Sequence, residues 1–185
     1  DKNFQVEHTY VERIEELWKF RNSKYVQSNM GECFRLARDF LKNSRWVCFS
    51  GTPCQIEGLK WFLGKPHEKL VLVDVVCHGI PSPLIWNKYL EYQEISKIHP
   101  DNIRFRDKYY GYKYSTMSLV KNGETIYHAG SQLDPMLRAF FADICDRPSC
   151  YECPFKKRYR VSDMTIWDCF SVYDFDKAMD DDKGT

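Results

Sequence analysis

No apolar run in this sequence approaches the roughly 20 residues that a membrane-crossing helix needs, and no signal-peptide pattern opens it. Neither sign of charge is in excess: 27 Lys and Arg stand against 26 Asp and Glu, a net charge of +1. Bulk charge therefore selects no partner class, nucleic acid included. Internal repeats and low-complexity linkers are missing too, so neither a repeat array nor tethered modules are expected. What remains is a chain of 185 residues, 43% of them hydrophobic, enough for one domain around a real core. The sequence opens at Asp1 without Met and stops at Thr185 just after the acidic run DDDKG. Both ends are expected to be cuts through a longer protein. Cysteine is the residue in surplus, with eight. They lie in strand-end turns and one CxxC rather than on a disulfide framework, and the chain is long enough to fold without one. A cytoplasmic protein using metal or redox chemistry is the expectation.

The stretch Trp46 to Pro83 organises the rest. It predicts strand, tight turn, helix, strand, tight turn. Gly51 permits a sharp turn, Thr52 is a good N-cap and Pro53 suits the first helical position. Ile56, Leu59, Trp61, Phe62 and Leu63 give the helix an apolar face, and Gly64 and Pro66 end it. Leu70 to Val76 is a near-continuous β-branched run, expected of a strand covered on both faces. Such a crossover makes two parallel strands whose ends share one rim. Cys54 and Cys77 would sit there, where open α/β sheets bind their ligands.

Elsewhere the FQVEH segment suggests a short strand, Val11 to Phe20 a sheet-covering amphipathic helix, and Glu32 to Lys42 a second helix. Between these two helices, Asn22, Ser23, Lys24, Tyr25 and Ser28 offer hydroxyls, a cation and an aromatic face suited to a phosphate or ring system. Cys33 and Cys48 fall in element interiors and are expected to be buried. Ser82-Pro83 starts a helix running to about Ile98. Asn102 to Asp107 is a predicted strand, Asn122-Gly123 a hairpin turn between two more, and Asp134-Pro135 the start of a short helix. The whole predicts a mixed α/β chain: a parallel strand-helix-strand core, an added antiparallel hairpin and a cysteine-rich loop region over residues 145–170.

Cys150 and Cys153 form the CxxC, with Pro154 after it. A CxxC brings two sulfurs to one centre from a single turn and serves zinc, an iron-sulfur cluster or a dithiol. With Cys54 and Cys77 it makes a four-thiolate set drawn from three loops. Cys54 also stands at a helix N-terminus, where the dipole favours negative charge. Two isolated cysteines plus one CxxC is not zinc-ribbon spacing, which favours a cluster. Cys145 and Cys169 are the substitutes if zinc recruits another pair. Lys156, Lys157, Arg158 and Arg160 form a basic run that is either a solvated face or a grip on phosphates or an acidic cofactor tail. His78 would hydrogen-bond a cofactor, donate a proton or make one structural bond. Asp163 and Asp168 flank the strand-like MTIWDCF.

The motifs SKYVQS, FSGTPCQIEGL, VDVVCHGIPSP and RPSCYECPFKKRYRVSDMTI, in that order, resemble the coenzyme F420 hydrogenase/dehydrogenase beta-subunit family over about Val6 to Thr185. That family includes F420-reducing hydrogenase and related formate dehydrogenase beta subunits. The resemblance implies a flavoprotein carrying FAD and a 4Fe-4S cluster. Electrons would pass through the flavin between the cluster and a two-electron carrier, the deazaflavin F420 in archaeal members. By motif, Cys54, Cys77, Cys150 and Cys153 would hold the cluster. Ser23, Lys24, Tyr25, Gly51, Thr52, Pro53, Gln55, His78 and Gly79 would line the flavin. A redox partner subunit or ferredoxin-like module would be the partner, with no nucleic acid. Three departures stand out. Asn22 replaces a usual glycine, and Asn tolerates positive φ. Trp167 replaces another glycine, where an indole would narrow the site. The clustered cysteines of an N-terminal ferredoxin-like segment, frequent in relatives, do not occur in these residues.

The expected function is thus an oxidoreductase subunit. Two alternatives stand beside it: a zinc-stabilised structural or interaction domain, and a dithiol oxidoreductase using Cys150 and Cys153.

Overall fold

The computed structural model describes residues 3–179; the acidic run DDDKG lies outside them. A 3-10 helix over Ile14–Phe20 comes first, then α1 (Cys33–Lys42), β1 (Val47–Gly51), α2 (Pro53–Leu63) and β2 (Leu70–Val75). α3 (Pro83–Tyr92), α4 (Ile95–Ile98), β3 (Asn102–Asp107), β4 (Thr116–Lys121) and β5 (Glu124–Gly130) follow. The chain closes with α5 (Pro135–Phe141), α6 (Pro148–Tyr151), β6 (Met164–Ile166), α7 (Val172–Phe175) and a short 3-10 turn, Lys177–Met179.

The strands form two three-stranded sheets. In the first, β1 and β2 run parallel, from Val47 opposite Leu70 to Gly51 opposite Asp74. β6 adds a third parallel strand on the other side of β2, ending with Val75 opposite Ile166. In the second, β3, β4 and β5 form an antiparallel meander. Its hairpin turn is Asn122-Gly123, with φ of 52° and 79°; two positive φ values in a two-residue loop are what the strand twist favours.

The helix of the central unit is built as its residues dictate. Thr52 and Gln55 form a reciprocal capping box, Pro53 takes the first position, and Gly64 closes the helix at φ 70°. Ile56 and Leu59 reach into a core with Ala37, Phe49 and Leu72. A second core, of Val26, Trp86, Tyr89, Phe105, Met117, Met136 and Leu137, joins the antiparallel sheet to α3 and α5.

Several expectations change. β2 buries Leu72 and Asp74 while its other residues stay partly open, so the parallel sheet is covered on one face and not both. Cys48 is exposed for the same reason: β1 turns Val47 and Phe49 toward the core and Cys48 to the opposite face. Of the helix expected over Val11 to Phe20, only Ile14–Phe20 is helical, as a 3-10 helix with no buried residue, Ile14 being 81% and Trp18 62% exposed. With three residues per turn, Ile14, Leu17 and Trp18 do not form the stripe an α-helix would give; the segment covers no sheet. FQVEH makes one isolated bridge, Glu7 to Asn29, rather than a strand. The helix expected to reach Ile98 breaks at Glu94, which takes φ 51°.

Candidate functional site

All three parallel strands end on one rim. Gly51 leads into Thr52, Pro53 and Cys54, Val75 into Cys77 and His78, and Ile166 into Trp167 and Asp168. The CxxC segment is tied to this rim by backbone and charge. The Arg147 amide donates to the Ile80 carbonyl at 3.0 Å, and Pro81 and Asp146 form a bridge. The Lys156 ammonium donates to the His78 carbonyl at 2.5 Å, and Lys157 pairs with Glu57 of α2 at 2.7 Å. Arg160 meets the buried Asp74 carboxylate at 3.0 Å. Asp163 accepts from the Leu72 amide at 2.7 Å and returns its own amide to the Leu72 carbonyl at 2.9 Å. Three of the four cations in the basic run thus fasten the cysteine segment to the parallel unit. The fourth, Arg158, lies over Tyr159.

The Cys77 thiol is pushed up to about 11, first by burial and then by Cys54, Cys150 and Cys153 around it, with Lys156 opposing. Cys77 thus lies within electrostatic reach of each of the other three cysteines singled out in the sequence. Thr52 adds its hydroxyl, 3.2 Å from the Cys54 sulfur. Among the described residues, no three cysteine sulfurs lie within 4.8 Å of one another. A single tetrahedral zinc, with Zn–S near 2.3 Å, would need sulfurs about 3.8 Å apart. Cys145 belongs to different surroundings. Its thiol is pushed up to about 11 by burial and by the Asp146 and Asp143 carboxylates.

The residues singled out for a flavin fall into two groups. In the first, Gln55 knits two loops together. Its amide oxygen accepts from the Thr52 amide at 2.9 Å, and its nitrogen donates to the Ser28 hydroxyl at 3.0 Å. Gly51 lies against it; a Cβ there would stand 2.9 Å from the Gln55 oxygen. Asn22 adopts φ 70°, the left-handed turn that a glycine would otherwise supply. Ser23 and Lys24 are exposed, and Lys24 donates to the Arg21 carbonyl at 2.7 Å. Tyr25 is half-buried and stacks on Phe140 at 4.2 Å between centroids. Val26, Gln27 and Ser28 also wall a cavity of about 400 Å³ with Val6 and Pro83.

The second group meets the first at Phe140, on which the Tyr25 and His78 rings both pack. His78 Nε2 lies 3.1 Å from the Phe140 carbonyl and 2.9 Å from Asp143 Oδ1. Gly79 is pressed by Asp146: a Cβ at Gly79 would fall 1.6 Å from Asp146 Oδ2. Trp167 is 63% exposed, so its indole fills no pocket among the described residues. Asp168 receives the Tyr112 hydroxyl at 2.6 Å and pairs with Arg106, whose guanidinium covers the Tyr112 and Phe170 rings. Sequence reasoning gave no role to Asp143, Asp146, Arg106 or Asp74. The one available signal for the first two was a pair of acids three residues apart around Cys145, directly ahead of the CxxC.

The class the structure defines is a mixed α/β protein, a parallel sheet whose rim carries Cys54 and Cys77 beside an antiparallel sheet. The family described as the C terminus of the coenzyme F420 hydrogenase/dehydrogenase beta subunit matches residues 44–185, and the chain belongs to it. That match includes the four cysteines and leaves the SKYVQS loop outside. No curated protein and no solved structure matched. A beta-type redox subunit works with partner subunits in a larger complex. Among the described residues no helix is long and apolar enough to cross a membrane.

Proposed function

We propose that this chain holds a 4Fe-4S cluster on Cys54, Cys77, Cys150 and Cys153 and FAD beside it, and passes electrons through them to a two-electron carrier. The observation that carries this reading is the Cys77 thiol within electrostatic reach of the other three. When bound, the cluster supplies one-electron steps and the flavin two-electron chemistry. The chain's own contribution is positioning. The capping box and the Gln55–Ser28 bond fix the two loops that would border the flavin, and Lys156 and Lys157 hold the CxxC against the rim. Ser23, Lys24 and Thr52 would meet the polar parts of FAD, with Gly51 and Pro53 beneath them. His78 and Gly79 would contribute backbone, because the His78 ring turns to Phe140 and Asp143. The carrier is F420 or a similar deazaflavin, delivered to a complex with a ferredoxin-like module or partner subunit. Eight free thiols suit a reducing compartment, so the cytoplasm is the proposed location, with no nucleic acid as partner.

Anaerobic purification with iron, sulfide and zinc analysis and a visible spectrum tests this. A flavin band and about four irons per chain, lost in Cys77→Ser, are expected. Zinc in place of both iron and flavin would establish instead a structural or interaction domain.

A further inference from the structure

His78, Asp143 and Asp146 bring one imidazole and two carboxylates together, each offering a ligand atom within 4.8 Å of the other two. They come from separate parts of the chain. His78 follows β2, whereas Asp143 and Asp146 follow α5. Asp146 is 9% exposed, and its Oδ1 is buried without a hydrogen-bond partner. An unpaired buried carboxylate oxygen is costly in a folded protein unless something absent from the protein's own atoms meets it. Gly79 makes the arrangement possible, because a side chain there would occupy the space of the Asp146 carboxylate.

We infer that His78, Asp143 and Asp146 form a binding site for a divalent first-row cation, built from nitrogen and oxygen donors rather than sulfur. The donor set is that of a harder cation such as manganese or ferrous iron. His78 Nε2 and Asp143 Oδ1 are 2.9 Å apart, close to the roughly 3.0 Å between adjacent ligand atoms of an octahedral ion at about 2.1 Å. The Phe140 carbonyl, 3.1 Å from the same nitrogen, offers a further oxygen. The site stands whether or not the thiols carry a cluster.

Manganese(II) is the probe, because thiolates do not select it. Loss of the free-ion signal in electron paramagnetic resonance is followed as Mn²⁺ is added to the anaerobically purified full chain. Wild type is expected to take up one Mn²⁺ saturably. Asp146→Asn and Asp143→Asn should each weaken binding by at least about tenfold, the scale known for residues supporting metal ligands. Glu91→Gln, which removes an exposed carboxylate on α3, should change nothing. Asp143 is exposed, so its variant keeps the test informative if Asp146→Asn folds poorly, with circular dichroism as the check. Absence of saturable uptake, or equal isotherms for wild type and Asp143→Asn, overturns the site. Iron content is read separately and reports only on the thiols.

Discussion

Two glycines separate two physical causes that a sequence cannot tell apart. Gly64 has φ 70° with open space around its Cα, so Gly64→Ala meets only backbone strain. A cost of about 1–2 kcal/mol is expected from urea denaturation. Gly79 has a carboxylate against it, and Gly79→Ala must displace Asp146 from its buried position. The expected cost is about 1–3 kcal/mol, with the Mn²⁺ uptake proposed above lost as well; a variant as stable as wild type would show that Asp146 moves freely. Gly64 was legible as a helix stop, because the apolar period ends there. Gly79 was legible only as part of a motif, since its crowding partner lies far along the chain. The pair of tyrosines on the buried Asp134 was invisible for the same reason. Tyr89 and Tyr127 both donate to Asp134 Oδ2, at 2.7 and 2.9 Å. Burial first, then that carboxylate, pushes Tyr127 up to about 12 and raises Tyr89 further. An unfolded tyrosine ionises near about 10, so the folded chain keeps protons the unfolded chain has lost. The stabilisation is full below pH of about 10 and declines as pH rises toward about 12. Tyr127→Phe should flatten that decline; identical urea midpoints against pH for the two proteins would refute it.

At the scale of elements, the strand-helix-strand unit was legible almost whole, because its punctuation is local: Thr52, Pro53, Gln55 and Gly64 each act within a turn of the helix end they define. Thr52→Ala should therefore cost about 1 kcal/mol, read from thermal or urea unfolding. What escaped was coverage. An apolar β-branched run states that a strand wants burial, not whether two layers exist to provide it. With α1 and α2 packed on the Phe49 side, the remaining face stays open and Cys48 with it. The 3-10 segment Ile14–Phe20 teaches the same limit, since its apolar residues matched a helical period yet none of them is buried.

At the scale of the whole molecule, the cysteine segment is attached by side chains whose partners lie many residues away, and this was the least legible part of the site. The basic run was readable as charge; that Arg160 would reach the buried Asp74 was not. Arg160→Ala leaves a carboxylate that is 2% exposed without its cation, and about 3–5 kcal/mol of stability should be lost. Iron retention should fall with it if the CxxC detaches, whereas an unchanged urea midpoint would mean that Asp74 finds another partner. β2 lies in the middle of its sheet, but its second neighbour, β6, begins only at Met164. On the ribosome some 90 residues must be added after β2 leaves before that neighbour exists, roughly 4–18 seconds at ordinary elongation rates. Throughout that interval one side of β2 is an open template for a foreign strand. The newborn chain, rather than the finished protein, is where this fold is most exposed to aggregation and where a chaperone would have its main task.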